Sequence, residues 1–76
     1  MTNVPLEQKI TGTLRRYDTE RRFGFIARDD GGPDVFVSGA AFDLADIHYV
    51  QTGGRLAFVL EPSRKGFRAG WLEVID

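Results

Sequence analysis

The chain has 76 residues, 42% of them hydrophobic and 28% charged, with ten Lys or Arg against eleven Asp or Glu and a net charge of −1. A chain this short folds as one domain around a single core, burying about 60% of its unfolded surface, and its apolar content is too high for intrinsic disorder. The lack of cysteine excludes a disulfide framework and a cysteine-based zinc site, and the near-neutral charge argues against indiscriminate attraction to polyanions.

The opening residues MTNVPLEQK have no basic region followed by an apolar stretch, and no run approaches the roughly 18 residues of a membrane helix. The expected location is therefore the cytoplasm, without a membrane partner. Residues 1–8 are read as a short flexible tail and residues 9–76 as the folded unit. Ile10 to Tyr17 (ITGTLRRY) is rich in β-branched and aromatic types and predicts a strand, closed by the polar turn Asp18 to Arg21. Phe23 to Ala27 follows as a second strand. Asp29 to Pro33 (DDGGP) concentrates turn chemistry, so Val35 to Ser38 returns as a third strand, antiparallel to the second.

From Gly39 to Thr52 the pattern is mixed. Leu44, Ile47 and Val50 recur at a spacing of three, and Ala41, Leu44, Ala45 and His48 would share a helical face, which leaves room for one short helix. Gly53 and Gly54 end it. Arg55 to Glu61 reads as a fourth strand, Pro62 to Gly66 as a hairpin turn and Phe67 to Ile75 as a fifth strand. Five short strands with at most one helix predict an all-β fold, a small five-stranded antiparallel barrel.

Strand alternation then makes a specific demand on the central segment RRFGFIARDDGGPDVFVS. Side chains two apart share a face, so if Ile26, Val35 and Val37 fill the interior with Leu14 and Leu56, then Phe23, Phe25 and Phe36 must lie together outside it. The alternative is a second small core covered by the long loop or the tail. Exposed aromatic patches more often mark binding surfaces. Arg15, Arg16, Arg21, Arg22 and Arg28 would rim this one with cations, and rings edged by arginine suit single-stranded nucleic acid, whose bases stack while its phosphates meet guanidinium groups. The charge order agrees: six basic and two acidic residues lie between Lys9 and Arg28, and five aspartates with no Lys or Arg between Asp29 and Gly54. That segregation reads either as ordinary solvated surface or as a basic face opposite an acidic one.

On these residues the chain resembles the cold-shock domain family. RRFGFI is similar to its first ribonucleoprotein motif, Lys-Gly-Phe-Gly-Phe-Ile, and DVFVS to its second, Asp-Val-Phe-Val-His. Gly12, Leu14, Arg15, Tyr17 and Asp18 resemble its opening strand, Asp30 to Asp34 its Asp-Gly-Gly-x-Asp turn, Gly53 to Phe58 its fourth strand, and Lys65, Gly66 and Ala69 its closing hairpin, so the likeness spans residues 9–75. The resemblance implies a barrel of the oligonucleotide-binding (OB) kind, with single-stranded RNA or DNA lying across the first three strands. Phe23, Phe25 and Phe36 would stack bases. Arg15 and Arg21 stand for family lysines near the backbone, Asp18 for an asparagine that hydrogen-bonds a base edge, and Asp34 for an aspartate that orders the turn.

Four positions depart from the family: Arg16 replaces its exposed tryptophan, Arg22 a glycine, Ser38 a histidine and Gly39 a phenylalanine. Three absent rings, at about 1 kcal/mol each at the low end, predict an affinity roughly a hundredfold weaker, in part restored by guanidinium stacking of Arg16 and Arg22. Tyr17, Phe67 and Arg68 extend the expected surface, while Trp71 is expected to pack against the barrel end. His48 and Tyr49 read as solvated loop residues, and Asp43 and Asp46 as a solvated face rather than a metal site.

The residue inventory offers no nucleophile–base pair, carboxylate pair or phosphate loop, so catalysis is not expected and no cofactor is implied. An RNA-recognition motif would need two helices. The expected role is single-strand binding by a monomer, with an RNA-chaperone or gene-regulating consequence. The alternative is a divergent barrel that uses the same phenylalanines to hold a protein partner.

Overall fold

Hydrophobic alternation and turn chemistry place the strands close to where the sequence puts them. A computed structural model describes residues 9–75; the tail assigned to residues 1–8 lies outside the described residues. In chain order the elements are β1 (Ile10–Asp18), β2 (Phe23–Arg28), β3 (Val35–Ser38), α1 (Gly39–Leu44), β4 (Arg55–Ser63) and β5 (Gly66–Ile75). The strands close into a barrel in the order β1-β2-β3-β5-β4. Four of the five pairings are antiparallel, as expected, but the seam is not: β3 meets β5 in parallel at Phe36 and Arg68. The reason lies in connectivity, since α1 and the following loop carry the chain across the barrel end before β4 and β5 return as a hairpin.

The barrel interior holds the inward residues of the alternation. Leu14, Ile26, Val35, Val37, Leu56 and Phe58 are buried, joined by Phe42 from α1 and by Ala69 and Leu72 from β5. Each large aliphatic or aromatic side chain here contributes about 1.5–3 kcal/mol by leaving water. Among the described residues none of the buried side chains is polar or charged.

The helix is shorter than the spacing suggested. Ser38 caps it by accepting from the Ala41 N–H, and it ends at Ala45 because Asp46 adopts a left-handed φ of 60°. The Asp46 and Ile47 N–H groups then donate to the carbonyls of Asp43 and Phe42, a Schellman closure that satisfies the last turn. One and a half turns can bury only one large residue, and that residue is Phe42. Leu44, read as sharing a helical face with Ala41, Ala45 and His48, is 91% exposed.

The last hairpin is also tighter than expected. β4 runs through Pro62 to Ser63, and Ser63 pairs with Gly66, leaving only Arg64 and Lys65 in the turn. Proline is tolerated because β4 has left β1 by then, that pairing ending at Phe58, so the missing N–H removes no ladder bond on that side. No helix among the described residues is long and apolar enough to cross a membrane.

Candidate nucleic-acid interface

A β-bulge decides what faces outward on β1. Leu14 pairs with Ile26 and Arg16 with Phe25, so Arg15 is an extra residue that shifts the alternation by one. Arg15 and Arg16 are both exposed as a result. Tyr17 is turned inward, edge-on to Phe42 with ring centroids 5.6 Å apart, and packs against the core. Of the residues expected on the binding surface, Tyr17 is thus half-buried against the core, while its remaining surface borders an open groove with Arg16, Phe23 and Phe25. Opposite it Gly24 lies against the Arg16 carbonyl and the Tyr17 backbone so closely that any Cβ would collide with them.

Phe23, Phe25 and Phe36 form the outward cluster that alternation required. Phe25 is in register with Phe36, and Phe23 with Ser38. Phe23 and Phe36 stack with centroids 5.9 Å apart, while Phe25 stands edge-on to both at 6.3 and 6.0 Å, contacts worth about 0.5–1.5 kcal/mol each beyond area. Phe36 is 37% exposed and the other two are half-buried. The Arg16 guanidinium carbon lies 4.9 Å from the Phe25 centroid, so the cation occupies the edge of the platform where the family resemblance expects tryptophan.

Beside these rings an open groove of about 850 Å³ runs to the β4–β5 hairpin. Phe67, 60% exposed, forms part of its far wall together with Arg64, Lys65 and Arg68. Phe67 and Arg68 were legible as part of this surface. Arg64 was missed, and Lys65 was legible only as a match to the closing hairpin, because their weight depends on the two-residue turn that the pattern did not give.

The arginines are not equally available. Arg15 reaches Asp34 at 3.5 Å, Arg21 reaches Asp18 at 3.9 Å, and Arg68 reaches Glu61 at 3.5 Å. Arg28 forms two hydrogen bonds to Asp30, at 2.9 and 2.7 Å. Asp18 is committed to the β1–β2 turn, where Oδ1 accepts from the N–H groups of Glu20 and Arg21. Ser38 is committed to capping α1. By contrast Arg16, Arg64 and Lys65 have no carboxylate within ion-pair distance among the described residues.

Arg22 is tied to α1. It holds a left-handed φ of 59°, a conformation that suits the glycine it replaces. Its guanidinium donates to both Asp43 oxygens at 3.2 and 3.0 Å and to the Gly39 carbonyl at 3.3 Å. Hydrogen bonding to Asp43 raises the Arg22 pKa, and the same contact holds the Asp43 carboxyl below its ordinary value. Position 39 must be glycine for this, since a Cβ there would meet the Arg22 Nε at 2.7 Å. The missing ring at 39 and the added cation at 22 are thus one steric exchange.

A family model described as the 'Cold-shock' DNA-binding domain matches residues 10–74. The chain belongs to the cold-shock domain family. This cold-shock domain is similar to cold shock-like protein CspA of Vibrio cholerae, 34% identical over 64 residues, which is 84% of this chain and 91% of the relative. It is similar to cold shock protein ScoF of Streptomyces coelicolor, 36% identical over 59 residues, 78% of this chain and 88% of that one. Cold shock protein CapA of Pseudomonas fragi is 33% identical over 64 residues, 84% of this chain and all of its own length. The domain's OB-type barrel and outward aromatic face accord with that membership, and the membership supports nucleic-acid binding in general.

Proposed function

We propose that this cold-shock domain binds single-stranded RNA or DNA in the cytoplasm, stacking bases on Phe23, Phe25 and Phe36 and holding phosphates at the groove's cationic rim. The observation that carries the reading is the ring cluster itself: three phenylalanines in mutual contact on the solvent side of β2 and β3, bordering a groove whose far wall carries Arg64 and Lys65. Rings take any base by its face, and cations take the backbone, so such a site is tolerant of sequence. Arg16 supports the reading as a planar cation already lying over Phe25, where it extends the platform. The role is binding rather than catalysis. By holding open single strands the domain would melt RNA hairpins through mass action, which is the chaperone or regulatory consequence proposed for it.

The test is a titration of a labelled pyrimidine-rich oligonucleotide at two salt concentrations. Affinity should be micromolar and fall with salt, and Phe25→Ala should weaken it by roughly fivefold to a hundredfold, one base-stacking contact. Unchanged binding by that variant would remove the stacking mechanism. A second reading, a protein partner anchored on the same rings, is favoured by the carboxylate pairing of Arg15, Arg21, Arg22 and Arg68. A titration that stays flat even at low salt would point to it.

A further inference from the structure

Trp71 was expected to pack against the barrel end, and it does not. β5 carries one residue more than β4 between the pairs Val59–Gly70 and Ala57–Glu73, and Trp71 sits in that bulge with a left-handed φ of 54°. A bulky side chain there is a conformational outlier, and strain of this kind tends to persist where a side chain has work to do. The bulge turns Trp71 outward, 53% exposed, while Leu72 beside it is buried.

The indole borders a second groove, about 510 Å³, between α1 and β5. Ala41 and Leu44 form its helical wall and Ser38, Arg68 and Trp71 its strand wall. This groove adjoins the first at one residue. Arg68 lines both and is in register with Phe36 across the parallel seam. Ser38, which follows Phe36 and Val37 on β3, pairs with Phe23 on one side and borders the Trp71 groove on the other. Three strand steps lead from Arg68 to Trp71, about 10 Å, the reach of one or two nucleotides of extended strand.

We infer that the α1–β5 groove is a second subsite of the same nucleic-acid track, in which Trp71 stacks a base lying beyond those on the three phenylalanines. The inference rests on the single-strand reading above. The occupant follows from continuity: a strand leaving the platform past Phe36 crosses Arg68 and enters a groove whose largest exposed ring is an indole. Leu44 supplies apolar surface on the helical wall that a stacked base would cover. Lys9 and Arg68 stand at the walls, each beside a glutamate, so this subsite gains more from stacking than from charge.

Trp71 is the only tryptophan in the chain, so its emission reports on this groove and nothing else. Labelled oligothymidylates of about four and about eight nucleotides are titrated against the parent protein and Trp71→Asn, a side chain that tolerates left-handed backbone and preserves the fold. Label anisotropy reads binding, and tryptophan emission reads occupancy of the groove. The longer oligonucleotide should bind more tightly and quench Trp71, and Trp71→Asn should cost it about fivefold or more in affinity while leaving the shorter one unchanged. Parent emission that stays constant at saturation, or a variant that binds both lengths like the parent, would overturn this subsite and leave the phenylalanine platform standing. No anisotropy change with either length would overturn the single-strand reading itself, and this inference with it.

Discussion

The two edges of the aromatic face carry the same sign of charge in different states. Along β1 and the turn that follows it, Arg15, Arg21 and Arg22 each lie beside an aspartate, Arg22 is held by both Asp43 oxygens, and Arg16 alone has no carboxylate partner among the described residues. Along the β4–β5 hairpin, Arg64 and Lys65 project from a two-residue turn with no carboxylate within ion-pair distance among the described residues. A count of cations rates the β1 edge higher, but availability ranks the hairpin first. An arginine already paired must exchange one anion for another when a phosphate arrives, and the gain from that exchange is small in water. A free cation neutralises a phosphate and releases the counterion condensed there, which is favourable and salt-dependent.

Three experiments sharpen or break this contrast. The largest effect is expected from Arg64→Ala combined with Lys65→Ala, which should weaken oligonucleotide binding roughly tenfold at low salt and lower the slope of log affinity against log salt by about one. Arg15→Ala with Arg21→Ala should change both by much less. Equal losses from the two pairs would erase the distinction between the edges. A smaller change of opposite sign is expected from Asp43→Asn. It frees Arg22 and removes the negative charge beside it, so affinity should rise roughly twofold to fivefold; a fall would show that Asp43 serves the ligand rather than competing with it.

The smallest effect concerns stability away from the site. Two hydrogen bonds from Arg55, with a further one from the Thr11 hydroxyl, lower the Asp29 pKa to about 2. A carboxyl whose folded pKa lies below its unfolded value, about 3.9, stabilises the fold above that unfolded value and loses the contribution as pH falls towards about 2. Acid unfolding followed by circular dichroism should therefore be shallower between about pH 4 and pH 2 for Asp29→Asn than for the parent, with oligonucleotide affinity at neutral pH unchanged. A change in that affinity would mean that the clamp also shapes the face.

The ring cluster was legible because it follows from a period of two: once Ile26, Val35 and Val37 are assigned inward, Phe23, Phe25 and Phe36 have only one place to go. The core was legible for the same reason. What escaped was set by single residues that break the period. The extra Arg15 in β1 sends Tyr17 to Phe42 and brings Arg16 over Phe25. The extra residue in β5 exposes Trp71, and left-handed Asp46 shortens the helix so that Phe42 and not Leu44 is buried. Bulges leave little trace in composition, since any residue can occupy the added position. Charge order left two readings open, and the ion pairs favour ordinary solvated surface over two opposed faces. The basic and acidic stretches are segregated along the chain, yet folding lays Asp34 against Arg15, Asp43 against Arg22 and Asp29 against Arg55, so the segregation largely disappears in space.

The exchange between positions 22 and 39 constrains how this surface can evolve. With Arg22 present, any side chain at 39 is obstructed by the Arg22 side chain, whereas glycine at 22 would suit the left-handed backbone there and leave the exposed Asp43 to water. The dependence therefore runs one way and fixes an order of change: position 22 must lose its side chain before position 39 can gain a ring.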